Sequence, residues 1–148
     1  MKYNKYNRKS TFILIAIPLL LQSCAAKYIP TGKTADLSID DPHLYNNSLQ
    51  IQVSQDKYHD EAFKRLYSSE SKDSNELNTK ISANKEMYFR ISIHSQGVTS
   101  YCYDKFSFNP IAGKRYRLIA DLSLKTNICR YQLINVTDQV DIKMDRWD

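Results

Sequence analysis

The stretch Lys114–Ser123, KRYRLIADLS, carries the pattern that decides the fold. Tyr116, Leu118, Ala120 and Leu122 occupy every second position, with Arg115, Arg117 and Asp121 between them. Period two sends alternate side chains to opposite faces of an extended strand, whereas a helix would repeat every 3.6 residues. The same alternation recurs on both sides of this stretch. Ala35, Leu37 and Ile39 share a face in ADLSID, SLQIQVS is rich in β-branched residues, and Phe89, Ile91 and Ile93 align in YFRISIH. Cys102, Phe106 and Phe108 align in CYDKFSF, with Asp104 interrupting the face. Further on, Cys129, Tyr131 and Leu133 align in NICRYQLINV, and Val140, Ile142 and Met144 in a last short segment. DDPHLYNN, HSQGV, NPIAGK and SLKTN separate the runs with turn-forming residues.

About seven short strands with a turn roughly every 10 residues predict an all-β chain, an antiparallel β-sandwich of Ig-like type. One segment departs from the pattern. YHDEAFKRLY spaces Tyr58, Ala62, Phe63, Leu66 and Tyr67 at helical intervals and predicts one short amphipathic helix. After it, SSESKDSNELN has almost nothing apolar and reads as a solvated loop.

The beginning of the chain follows other rules. An apolar run, FILIAIPLLL at Phe12–Leu21, follows Lys2, Lys5, Arg8 and Lys9, and no acidic residue occurs in the first 23 positions. As a helix the run would cross only half of a hydrocarbon core, which needs roughly 20 residues. Charged flank and short apolar run together read as an export signal. The residues that close it, Leu21-Gln22-Ser23-Cys24, resemble the lipobox of bacterial lipoproteins. The resemblance implies that residues 1–23 are a cleaved signal peptide and that the Cys24 sulfur carries diacylglycerol, with the new amino terminus acylated. At about 0.8 kcal/mol per buried methylene, several acyl chains anchor a domain to a membrane almost permanently. Ala25 stands where an aspartate would signal retention at the inner membrane. The same resemblance therefore implies the outer membrane, facing the periplasm, in a Gram-negative envelope. Residues 24–33, with Pro30 and Gly32 and no periodicity, read as a lipidated tether, and residues 34–148 as the sandwich domain.

Without the leader, 148 − 23 = 125 residues remain, the size of one domain. Four of the 21 basic residues leave with it and none of the 16 acidic ones, so a formal charge of +5 falls to 17 − 16 = +1. Nucleic-acid binding, which rests on a concentrated basic surface, loses its compositional support. Of three cysteines, two remain beside the lipidated one, an even pair in an oxidising compartment. Cys102 and Cys129 have no C-x-x-C spacing and no nearby histidine, so a structural disulfide is favoured over a metal or redox pair. If the bond exists, the two strands cannot flank the Lys114–Ser123 strand in one sheet. Two strand spacings are about 9.6 Å, and a disulfide needs Cα atoms within about 7 Å. The strands are either neighbours or face each other across the sandwich.

Motifs for chemistry are sparse. PTGKT lacks the upstream glycine and strand of a phosphate-binding loop. His43, His59 and His94 are scattered, and Asp40 with Asp41 reads as a turn, so no metal, cofactor or catalytic residue is assigned. One constellation remains. If the strands of CYDKFSF and KRYRLIADLS pair as a hairpin through NPIAGK, then Tyr101, Tyr103, Lys105, Arg115 and Arg117 form one outward aromatic and basic patch. Such a patch suits an anionic glycan, lipid headgroups or a protein partner.

Cys102, Phe106, Phe108, Pro110, Gly113, Lys114, Tyr116 and Cys129 are similar to a pattern of small disulfide-containing envelope lipoproteins, a cysteine, an F-x-F-x-P-x-x-G-K-x-Y hairpin and a second cysteine on the following strand. That resemblance implies a β-sandwich with a disulfide and brings no activity. The expected function is a membrane-anchored, non-enzymatic envelope lipoprotein acting as a binding or assembly module. An inhibitor of an envelope-directed lysozyme or protease is the alternative, and a small hydrolase a third.

Overall fold

A computed structural model describes residues 26–40, 47–69, 78–95, 101–123 and 128–147. The leader, Cys24, His43, Asp41 and most of the serine-rich loop lie outside the described residues, as does the Tyr101 side chain. The described residues form a β-sandwich of ten strands in two five-stranded sheets. The strands are β1 (Thr34–Asp40), β2 (Asn47–Ser54), β3 (Lys64–Ser68), β4 (Asn78–Ser82) and β5 (Met87–Ser95). They continue with β6 (Tyr101–Phe108), β7 (Arg115–Ser123), β8 (Ile128–Asn135), β9 (Val140–Asp141) and β10 (Asp145–Arg146). Sheet I runs β4-β1-β7-β8-β9 and sheet II runs β10-β6-β5-β2-β3. Neighbours pair antiparallel except β1 and β7, which are parallel.

The seven strands expected from periodicity are β1, β2 and β5 to β9. The aligned apolar faces of β1, β2 and β5 to β8 meet between the sheets, whereas in β9 Val140 is exposed. Leu37, Ile39, Tyr116, Leu118 and Leu133 of sheet I pack on Leu49, Ile51, Phe89, Ile91 and Phe106 of sheet II, all buried. Fully burying one such side chain contributes roughly 1.5–3 kcal/mol, so this layer is the main stabilising element. Phe89 stacks on Phe106 with ring centres 5.0 Å apart, and Phe108 meets Tyr116 across the sheets at 5.3 Å.

Three expectations need correction. The short helix does not form. A single 3-10 turn at Asp60–Ala62 leads into β3, which pairs with β2. Its register shifts opposite Ile51 and Gln52, and a bulge of this kind lets the adjacent Leu66 and Tyr67 both be buried. Burial at Phe63, Leu66 and Tyr67 thus copies helical spacing.

The hairpin through NPIAGK does not form either. β6 pairs with β5 and β10, and β7 with β1 and β8, so the connection crosses from one sheet to the other. It is fixed by the Ile111 N–H donating to the Tyr116 hydroxyl at 3.0 Å, and by Gly113 at φ +75°, a left-handed conformation that glycine adopts without strain. The disulfide Cys102–Cys129 joins β6 to β8 across the sandwich with Cα atoms 6.0 Å apart, the second of the two geometries allowed.

Finally, the described part of the expected tether is docked. The Arg65 N–H donates to the Ala26 carbonyl at 3.0 Å, and the Tyr28 N–H donates to the Arg65 carbonyl at 2.8 Å. Tyr28 then reaches edge strand β4, where its hydroxyl donates to Ser82 Oγ at 2.8 Å and accepts from the Ser82 N–H at 2.9 Å. The segment ties β3 of one sheet to β4 of the other, so the folded unit begins by Ala26 and not at Thr34.

Candidate functional site

The crossover separates the residues expected to form one patch. Tyr103 and Lys105 lie on the outer face of sheet II, where Tyr103 pairs in register with Ser92 and Lys105 with Arg90. Tyr101 belongs to the same strand, opposite His94. Arg115 and Arg117 are exposed on the outer face of sheet I, opposite Asp36 and Ser38 of β1. The sandwich core lies between the two groups, so no single flat partner touches both.

Sheet II instead assembles a different aromatic and basic layer. In one row across the sheet stand Gln52, Arg90 and Lys105, followed by Trp147, whose N–H meets the Lys105 carbonyl at 3.4 Å. The connection from β2 to β3 folds over this row. Asp56 N–H donates to Ser54 Oγ at 2.9 Å, and Phe63 seats its ring beneath the Arg90 guanidinium, 3.6 Å from its centre. Trp147 lies 5.9 Å from both Phe63 and Tyr88, and the Lys105 ammonium lies 5.0 Å from Trp147 and 5.9 Å from Tyr103. Arg90 is only 15% exposed and pairs with Asp60. Cations over aromatic faces in this geometry are held by the ring quadrupole.

The acidic groups beside this layer are held ionised. The hydrogen bond from Arg90, aided by its charge, lowers the Asp60 pKa. Glu86 accepts from Ser107 and from the Tyr88 hydroxyl, both at 2.8 Å, which depresses its pKa and raises that of Tyr88. In the overlying connection, His59 Nδ1 bonds Asp56 Oδ2 at 2.6 Å, and Asp56 Oδ1 accepts the Tyr58 N–H at 2.8 Å. The pair raises the His59 pKa, and the Tyr58 and His59 bonds lower that of Asp56. This is an imidazole–carboxylate pair closing the four-residue surface turn Asp56–His59.

The outer face of sheet I has adjoining shallow depressions of about 540 and 240 Å³ around Asp36, Asn78 and Arg115. Lys80 spans the strand pair to Asp36 at 3.0 Å. Among the described residues no group of three His, Cys, Asp or Glu side chains is placed to hold a metal ion. No protein-family model matches the chain, and no curated protein sequence matches it.

Sequence reasoning missed Phe63, Arg90 and Trp147. The alternation in YFRISIH does point Tyr88 and Arg90 outward, a usable signal. Phe63 was hidden by the helical spacing, and Trp147 follows a two-residue strand too short to show a period.

Proposed function

We propose that the protein is an exported, lipid-anchored envelope protein of non-enzymatic type that binds a partner at its membrane. In this reading residues 1–23 are removed, Cys24 is acylated, and the domain sits at the outer membrane facing the periplasm. The observation that carries it is the lipobox-like Leu21-Gln22-Ser23-Cys24, directly followed by a sandwich that is hydrogen-bonded from Ala26 onward. The disulfide between Cys102 and Cys129 fits an oxidising compartment.

The outer face of sheet II is the proposed binding face. Tyr103 is 47% exposed, and Lys105 sits over two aromatic rings beside the Arg90–Trp147 layer, a surface suited to an anionic glycan or an acidic patch on an envelope protein. The non-enzymatic reading rests on the sequence, in which no local arrangement supplies a nucleophile or metal with an orienting partner.

The test has two arms. Cys24→Ser is expected to leave either an uncleaved precursor or a form in the aqueous phase, and a variant still processed and fully membrane-bound refutes the anchor. In lipidated protein, Tyr103→Ser with Lys105→Glu should reduce envelope crosslinks, and Arg115→Glu with Arg117→Glu should not. The opposite pattern moves the binding face to sheet I. Turnover of a peptidoglycan, peptide or ester substrate by the purified protein overturns the non-enzymatic reading.

A further inference from the structure

Docking of Ala26 shortens the leash. A free segment from Ala25 to Lys33 would reach about 30 Å and leave the orientation of the domain open. With Ala26 bonded to Arg65, only two residue steps separate the fixed backbone from Cys24, at most about 7 Å. The headgroup layer on one side of a bilayer is itself about 5–8 Å thick. An acylated Cys24 would therefore hold this corner of the sandwich against the membrane.

The corner has the composition of an interfacial surface. Ile29 is 77% exposed and Tyr58 is 80% exposed, among the most exposed large hydrophobic residues described. Ile29 and Lys64 line one shallow depression with Asp56 and Ala62, and Asp56 in turn holds the Tyr58 backbone. The Lys57 ammonium lies 4.9 Å from the Tyr58 ring centre, and Lys27 is exposed beside Arg65. Two of the acidic groups of this corner are already engaged, Asp60 with Arg90 and Asp56 with His59, while Glu61 is exposed. Amphipathic tyrosines sit at headgroup level, and lysines pair with anionic lipid while their stems lie along apolar surface.

We propose that the corner formed by Lys27, Ile29, Lys57, Tyr58 and Lys64 rests in the anionic headgroup layer of the bilayer, fixing the domain in one orientation. The proposal rests on the lipid-anchor reading. Edge strand β3 then lies nearest the membrane, and β9, the edge of sheet I farthest from the β4 edge that Tyr28 reaches, lies away from it.

Trp147 is the sole tryptophan of the chain and packs beside the β2–β3 connection, so the test is made in Trp147→Phe protein, with an indole placed at one chosen position at a time. Lipidated protein is placed in phosphatidylethanolamine–phosphatidylglycerol vesicles that carry a nitroxide on a fraction of headgroups. An indole at Tyr58→Trp or Ile29→Trp should lose most of its emission, and one at Val140→Trp on β9 should keep it. Lys57→Glu with Lys64→Glu in the Tyr58→Trp protein should restore that emission while the protein still sediments with the vesicles. Sedimentation with vesicles but no quenching at positions 29 and 58, or equal quenching at position 140, refutes the oriented corner and leaves the anchor standing. Failure to sediment with vesicles in high salt overturns the anchor and this proposal together.

Discussion

Truncating Phe63 to alanine removes the ring on which Arg90 and Trp147 rest. The side chain is 5% exposed, the Arg90 guanidinium lies 3.6 Å from its centre and the Trp147 ring 5.9 Å away. Phe→Ala in a packed site costs about 3–5 kcal/mol. The site lies under a surface layer where Trp147 can settle into part of the space, so the lower end, about 3 kcal/mol, is expected. Set against a total stability of about 5–15 kcal/mol, that loss is large. With a urea slope of about 2 kcal/mol per molar, the unfolding midpoint should fall by about 1.5 M. Because Trp147 is the sole tryptophan, its emission should shift to the red in the native state as well. Arg90→Met tests the same layer from above. It keeps much of the volume and removes the guanidinium that lies over Phe63 and pairs with Asp60, so its own cost should be about 1–2 kcal/mol. The double variant should show a coupling of about 1–2 kcal/mol, the scale of a desolvated cation over a ring. A midpoint shift below about 0.3 M in Phe63→Ala, worth about 0.6 kcal/mol at that slope, with unchanged Trp147 emission, would refute the packing of the β2–β3 connection on sheet II.

Two further outcomes are expected. Replacing Cys102 and Cys129 together by alanine reopens a loop spanning 27 positions and should lower stability by about 3.5 kcal/mol, and coincident urea curves for the variant and the oxidised protein would count against the chain-entropy account. For His59, NMR titration should give a pKa above the ordinary 6.5, returning toward it in Asp56→Asn. The His59 contribution to the turn is fully present below 6.5 and fades as pH rises through the raised value. The Asp56 contribution is present above 3.8 and fades as pH falls through the depressed one, so the turn is best held between them, and an unshifted His59 would remove the pair.

The amino-acid sequence by itself determined the class of fold and most of the core. Tyr116, Leu118 and Ala120 alternate with Arg115 and Arg117 because one face of a half-buried strand must be apolar, and that demand is written locally, residue by residue. The cysteine pair and its choice of geometries followed from count and strand spacing alone. Where local pattern misled, two structures shared one pattern. Phe63, Leu66 and Tyr67 are buried at intervals of three and one, which an amphipathic helix and a bulged edge strand under a folded-over loop both produce. Likewise, β6 and β7 show the same inward apolar faces whether they pair as a hairpin or lie in opposite sheets. Phe108 and Tyr116 meet across the core in the second case, and burial is satisfied equally. Only tertiary structure decided between them, because the choice of sheet is made by hydrogen bonds to β5 and β1, strands distant along the chain. The same non-local pairing moved Arg115 and Arg117 away from Lys105, and brought Trp147 to Arg90 and Ala26 to Arg65. Periodicity records which face of a strand is buried. It carries no record of which neighbour the backbone pairs with, since every backbone offers the same donors and acceptors.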